Sequence, residues 1–484
     1  MAAGLAKARA GRVAVIEAGP SDAHPLVKMP FGLVWLMGSH RRDWRYLSAP
    51  LAGANGRQIA IPRGRMLGGS GSINSMVWFR GRADDFDGWG LADWTWDKVA
   101  PEFDEIEAVM APAPLSSPHP LTRALARLFG SNDQTPPTPE RTSAGVCHFN
   151  IKNGARWSAA DGFLRPARRL GITVFTGSQV VRLIVEDGHA TGVHLADGRQ
   201  LSAIKGIVLS AGSIGSPELL LRSGIGPAAD LHAAGIPVVL DAPEVGANLH
   251  DHPGVGLHFE GADTGYGLTP GQAWTWISAP FQFLLRRQGV FASPTVEGSA
   301  FFNAANDGGA PDVQSHFIPF FLNWRGNRFG FGSGYFADVC LCRPRSRGRL
   351  RLTGAGLQID LGILTDARDV ATMVAGVKRL RAILAAAPFP GRPAQEVFPG
   401  TAVQSDAEIE AHIRANAATA YHPVGTLRMG ESPAPVTPKL ALRGVKNLWV
   451  ADASVMPRVT SANTNAPTIM IGHRAAKFIA KDAA

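Results

Sequence analysis

The sequence predicts a mixed α/β fold, with α+β character in its middle, made of more than one sheet. Three observations predict it. At 484 residues, the chain has room for roughly three compact units at about 150 residues each. Hydrophobic residues make up 45% and charged residues 18%, a globular balance too apolar for a disordered chain. Short strand-like runs also alternate with helical periodicities from end to end, and the 55 glycines and 35 prolines are scattered among them without a Gly-X-Y period, as tight turns require.

The elements follow in chain order. Ala2–Arg12 favours helix, and Val13–Ile16 is an apolar run ending in Glu17-Ala-Gly-Pro20, which reads as helix, strand, turn within a βαβ unit. In dinucleotide folds a Gly-x-Gly-x-x-Gly turn follows the first strand, and an acidic residue about 20 positions later takes the ribose hydroxyl. Glu17 is expected in that role. Counting back from Glu17 runs past Met1, so the first strand and its glycine loop are expected to precede the first residue, making this a shortened reading of a longer protein. Pro62–Asn74 packs small residues too densely for a helix or a strand and reads as a cofactor-facing loop. Proline-rich stretches at 111–120 and 131–140 mark exposed connections.

Residues 172–210 alternate around Asp187-Gly188 and Asp197-Gly198, which predicts a β-meander leading into the run Ile207–Leu209. Ser216-Pro-Glu218 reads as a helix start with serine as N-cap and proline at the first helical position. The middle, about 261–411, carries strand-like runs at Leu350–Leu352 and Ile359–Leu364 and an amphipathic helix at about 369–386. Asn447–Asp452 predicts a buried strand, and Asn465-Ala-Pro467 opens a final helix.

Composition also excludes functions. The net charge of +9 is spread over short, separated clusters with no basic arm or aromatic strand motif, so nucleic acid is not an expected partner. Three cysteines, Cys147, Cys340 and Cys342, cannot build a disulfide framework and point to a reducing compartment. Cys340-Leu-Cys342 alternates on a strand-like run with no second ligand pair nearby, and no metal is expected. Lys7, Arg9, Arg12 and Glu17 interrupt any signal-peptide core, and no apolar run approaches the roughly 20 residues of a membrane span. The expectation is a soluble, cytoplasmic protein.

Four separated segments then agree. They are Gly64-Arg-Met-Leu-Gly-Gly-Ser-Gly-Ser-Ile-Asn74, Gly212-Ser-Ile-Gly-Ser-Pro-Glu-Leu-Leu-Leu-Arg-Ser-Gly-Ile-Gly226, Tyr421-His-Pro-Val-Gly-Thr426 with Arg428-Met-Gly430, and Asp452-Ala-Ser-Val-Met-Pro457 with Ser461-Ala-Asn-Thr-Asn-Ala-Pro-Thr468. Together they make the chain resemble the glucose-methanol-choline (GMC) family of flavin-dependent alcohol oxidoreductases, leaning to its choline-dehydrogenase-like branch. The resemblance implies FAD in a discontinuous Rossmann-like domain (residues 1–82, 165–260 and 412–484) and a substrate domain (83–164 and 261–411) whose sheet roofs the flavin ring.

On that pattern Glu17 binds the adenosine ribose, Val180 contacts the adenine side, and Met66, Gly68, Gly69, Asn74, Ser75, Met76 and Val77 surround the flavin. Ala211, Gly212, Asp452 and Ala453 complete the cofactor groove, and the helix N-terminus near Asn465 to Thr468, with Pro467 in its first turn, presents free N–H groups to the flavin's pyrimidine edge. Oxidising an alcohol needs a base for the hydroxyl proton beside a donor that holds the oxygen. The resemblance gives these roles to His422 and Asn463, with Asn463 as a plain turn residue the alternative. The flavin is expected to be non-covalent, because Ile73 stands where some relatives carry an attaching histidine. His250-Asp251-His252 invites a metal reading, but a similar stretch occurs in the family without one. The expected partner is a small-molecule alcohol, choline-like among the options, with oxygen or a quinone-like carrier as electron acceptor. A hydroxynitrile-lyase-like FAD protein and an inactive shortened remnant are the competing readings.

Overall fold

The opening helix is shorter than its alanine-rich run, because positive φ at Arg9 and Gly11 turns the chain out after Lys7. It begins a computed structural model that describes residues 1–131, 135–261, 264–321, 331–387, 389–390 and 393–482. In chain order the elements that position the site are α1 (Ala2–Lys7), β1 (Ala14–Ile16), β2 (Ser143–Val146), β3 (Thr173–Phe175), β4 (Val180–Glu186), β5 (His189–Leu195), β6 (Gln200–Ser202) and β7 (Ile207–Leu209). They continue with α2 (Gly212–Arg222), β8 (Pro253–Glu260), α3 (Ala273–Arg286), β9 (Gly298–Phe302), β10 (Val313–Ile318), β11 (Gly334–Leu341), α4 (Ala367–Ala386), β12 (Gln395–Phe398), β13 (Leu448–Val450) and α5 (Asn465–Asp482).

One side of the molecule is built from parallel pairs, β1 with β3 and β7 with β13. Among the described residues no strand joins these two pairs. Gly4 of α1 lies so close to α5 that a Cβ there would come within 2.5 Å of Ala476. The meander forms as the sequence predicts: β4, β5 and β6 are antiparallel, and Asp187 and Gly188 both take positive φ at the first turn, as a tight hairpin demands.

The other side is a seven-stranded sheet whose main path runs β12–β8–β11–β10–β9–β2, with the short strand Ala418–Thr419 paired to the start of β8. Strand alternation splits its residues between two environments. Val255, Leu257, Val313, Ala337, Val339 and Leu341 pack with Val370, Met373, Val374 and Val377 of α4 in one core cluster. Gly254, Gly256, His258, His316, Ile318, Phe336 and Asp338 face a cavity on the opposite side.

Three expectations shift. Helix α2 starts at Gly212, not at Ser216, and Pro217 lies inside it. The Asp452 carboxylate causes this by accepting from Gly212 N–H at 2.9 Å and from Ser216 Oγ at 2.6 Å, which caps the first turn from outside. Pro217 has no N–H for the Ser213 carbonyl, and that carbonyl accepts instead from Thr426 Oγ1 at 2.6 Å. The run Ile359–Leu364 is strand only as far as Asp360, closing a hairpin with Arg349–Thr353. Strand β8, which the expected division counts with the cofactor-binding unit, hydrogen-bonds within the antiparallel sheet.

Candidate active site

A cavity of about 1060 Å³ runs between the two halves, from Glu17 to His422 and Asn463. Of the residues singled out from the sequence, Glu17, Gly68, Gly69, Asn74, Ser75, Met76, Val77, Ala211, Gly212, His422, Asp452, Ala453, Asn463, Asn465 and Thr468 all border it. Met66, Val180 and Pro467 do not: Met66 packs with Val27, Leu36 and Ile73, Val180 opens β4 opposite Leu195, and Pro467 is buried in the first turn of α5.

Glu17 caps the turn after β1, where its Oε1 accepts from Gly19 N–H at 2.7 Å. Burial raises its pKa, partly countered by that N–H and by the Arg65 guanidinium. The glycine loop is folded on itself, since a Cβ at Gly64 would fall 2.2 Å from the Gly69 carbonyl. Arg156, which sequence reasoning missed, holds this loop from below. It is fully buried and donates to Asn74 Oδ1 at 2.7 Å and to the Val27 carbonyl at 3.0 Å. Asn74 Oδ1 also accepts from Met76 N–H at 3.0 Å, and so the side chain is spent on shaping the loop.

These residues fit a dinucleotide cofactor. Gly69 and Gly212 have positive φ and open space where a Cβ would be, and both border the cavity. There backbone lies directly against whatever fills it. Glu17 lies at one end and the first turn of α5 along the wall.

The far end carries a polar network that fixes its own protons. His252 Nε2 lies 3.0 Å from the Thr460 carbonyl, which only accepts, so Nε2 bears the hydrogen. Burial holds His252 down at about 4. It is therefore neutral, and its Nδ1 is an acceptor. His422 Nδ1, 3.1 Å away, must donate to it. Burial first, then His252, His316 and Arg63, push His422 well below the ordinary imidazole value. The lone pair of neutral His422 is left on Nε2, facing Asn463 Nδ2 at 3.1 Å.

The amide of Asn463 is oriented in the same way. Ser299 Oγ donates to the Ser315 carbonyl, so Gln314 Nε2 must donate to Ser299 Oγ at 3.2 Å and to Asn463 Oδ1 at 3.0 Å. The Asn463 amino group is thereby turned to His422 and to His316, whose Nε2 lies 3.4 Å away. His316 Nδ1 pairs with Asp338 at 3.0 Å. Burial alone lowers the His316 pKa, but the Asp338 carboxylate outweighs it and raises the value. The backbone N–H of His422 is held by Asp251 Oδ1 at 2.8 Å, and Tyr421 before it takes φ +65°. The stretch His250-Asp251-His252 is thus a set of hydrogen-bonding anchors: His250 Nδ1 lies 2.7 Å from the Asn248 carbonyl, and His250 Nε2 accepts from Val459 N–H at 3.0 Å.

Gln314, His316 and Asp338 were missed because nothing local marks them. Of the aromatic residues considered for a wall, Phe320 borders the cavity, Trp276 packs behind it against Phe31, and Trp274 points outward.

Two family models described as GMC oxidoreductase match residues 9–254 and 344–472. The chain belongs to the GMC oxidoreductase family. It is 36% identical over 509 residues to an alcohol dehydrogenase [acceptor] of Pseudomonas putida, covering 97% of this chain and 91% of that protein. It is also 36% identical over 503 residues to an oxygen-dependent choline dehydrogenase of Rhizobium johnstonii, covering 96% and 90%. Among solved structures, pyridoxine 4-oxidase from Mesorbium loti superposes with a TM-score of 0.82 at 28% identity, covering 98% of this chain and 96% of that one. A formate oxidase from Aspergillus oryzae, with the R554A substitution, gives 0.87 at 25%, covering 100% and 96%. As a GMC oxidoreductase this chain is an FAD-dependent enzyme of the alcohol-oxidising class.

Proposed function

We propose that this GMC oxidoreductase removes the hydroxyl proton of a neutral, apolar-bodied alcohol with His422 Nε2. The lone pair that the Thr460–His252–His422 chain leaves on that atom carries the reading. Glu17, the glycine loop and the first turn of α5 would hold FAD, which would supply the acceptor for the hydride lost from the alcohol carbon. Asn463, with its amino group fixed by Gln314, donates to the alcohol oxygen as charge builds there. His316, held by Asp338, faces the same point from the other side.

The electrostatics of the cavity support a neutral substrate over choline. Among the described residues its bordering carboxylates are Glu17 at the far end, Asp452 bound to Gly212 and Ser216, and Asp338 paired with His316. Arg57 and Arg63 also border it, and the Trp44 ring already carries the Arg65 guanidinium 5.0 Å from its centroid. Phe31, Val34, Val296, Ile318 and Phe320 supply an apolar wall. The flavin is non-covalent on this reading, since Ile73 and its neighbours in the loop carry no attaching nitrogen. Three free, buried cysteines support a reducing, cytoplasmic setting.

Anaerobic mixing with primary alcohols tests it. Aliphatic and aryl alcohols should bleach the flavin with kcat/KM at least about tenfold above choline, and His422→Ala should slow bleaching by about 10²–10⁴-fold with flavin content unchanged. Wild-type rates in His422→Ala would remove the base assignment; choline as the better substrate would overturn the substrate class.

A further inference from the structure

Helix α3 is apolar on both faces. Inward it buries Ala279 and Phe283 and sets Trp276 against Phe31 and Phe320, with ring centroids 5.8 and 6.4 Å apart. Outward it presents Trp274, Ile277, Phe281, Leu284 and Leu285, each 60–81% exposed. Their spacing of three, four, three and one places them on a single stripe along 14 residues. Single exposed apolar residues need no explanation, but a stripe of five large ones marks a surface that something apolar covers.

The charges beside the stripe say what covers it. From Thr264 to Val296 the sequence contains no Asp or Glu, and its only charges are Arg286 and Arg287 at the end of the helix. Both are exposed, and Arg287 backs onto the turn at Gly154 next to exposed Lys152. A second copy of this stretch brings no carboxylate to these cations. An anionic bilayer meets both demands at once, with acyl chains for the stripe, phosphates for the guanidinium groups, and an interfacial position for the amphipathic indole of Trp274. No described helix is long and apolar enough to cross a membrane; α3 has the chemistry of one that lies on it.

We propose that α3 docks this protein on an anionic phospholipid surface, with Trp274, Ile277, Phe281, Leu284 and Leu285 in the acyl boundary and Lys152, Arg286 and Arg287 at the headgroups. Phe31 and Phe320, which carry Trp276, also border the cavity. The docked face and the site therefore share a wall. The proposal stands independently of the substrate and of the catalytic roles given above.

Flotation of the flavin-loaded protein with vesicles tests it. Wild type should float with equimolar phosphatidylcholine and phosphatidylglycerol, less so at high salt, and weakly with phosphatidylcholine alone. Phe281→Ser, Leu284→Ser and Leu285→Ser together should weaken binding by about tenfold or more, and Arg286→Glu with Arg287→Glu should do the same on anionic vesicles only. Because the three native cysteines are buried, Ile277→Cys takes an environment-sensitive dye at one site, and its emission should shift to the blue on adding vesicles. This arm decides even where the triple variant fails to fold. Wild type that does not float, a dye that does not respond, or a stripe whose loss only converts a dimer to a monomer would overturn the proposal.

Discussion

Replacing His252 with leucine removes the acceptor for His422 Nδ1–H without touching substrate or cofactor contacts. In the native site that hydrogen is satisfied at 3.1 Å, and His252 is itself fixed by the Thr460 carbonyl at 3.0 Å. In His252→Leu, His422 has two choices. It can keep the proton on Nδ1 as a buried orphan donor, at a cost of about 1–3 kcal/mol. Alternatively it moves the proton to Nε2, where it confronts the Asn463 amino group, 3.1 Å away, and can no longer accept from an alcohol. Either way the reactive tautomer loses about 1–3 kcal/mol, which corresponds to about fivefold to 150-fold in the limiting rate of flavin reduction. Substrate affinity should change far less. His252→Asn restores an acceptor close to the lost Nδ1 and should recover much of the rate. Anaerobic stopped-flow traces across alcohol concentration separate the limiting rate from half-saturation. In wild type, protonation of His422 should cause no fall in kcat/KM as pH drops past the ordinary imidazole value of 6.5, because burial holds His422 well below it, and an inflection above that value belongs to His316, which Asp338 raises. A wild-type limiting rate in His252→Leu, or equal losses in the leucine and asparagine variants, would refute the tautomer chain.

Glu297 is buried beside the start of the helix Pro120–Leu128, and burial raises its pKa to about 7 despite accepting from His119 N–H, Ser293 and Thr122. Its stability contribution is complete below its ordinary value of 4.5 and is lost as pH rises through about 7. Glu297→Gln should therefore gain stability relative to wild type with rising pH, by up to about 1.4 kcal/mol per pH unit, and a difference in denaturation midpoints that ignores pH would reject this. Gly212→Val places a side chain into the groove at φ +81° and should lower bound flavin per protein; stoichiometric flavin in the variant would show that the groove runs elsewhere. Acid precipitation should release all of the flavin from wild type, and colour left in the pellet would contradict non-covalent binding.

What the sequence made legible were the contiguous features: the glycine loop, the meander, the ends of β7 and β13, and the motifs around His422 and Asn463. Each is local, because a tight turn or a backbone wall imposes its residue types on neighbours in the chain. The partners of His422 and Asn463 were not legible, because sheet register brings them together. Gln314 and His316 sit two apart on β10, and Asp338 comes from β11, where Gln314 pairs with Cys340 and Phe317 with Ala337. In isolation the run Val313-Gln-Ser-His-Phe-Ile318 reads as a half-exposed strand whose polar positions face water. That reading fails here because α4 covers one face of the sheet and the cavity lies against the other. A buried glutamine or histidine on such a face needs partners. Gln314 and His316 find theirs in Asn463 and Asp338, and these contacts fix which way the Asn463 amide points. The motif therefore identifies His422 and Asn463, while a strand more than a hundred residues earlier in the chain decides which of their atoms donate and which accept.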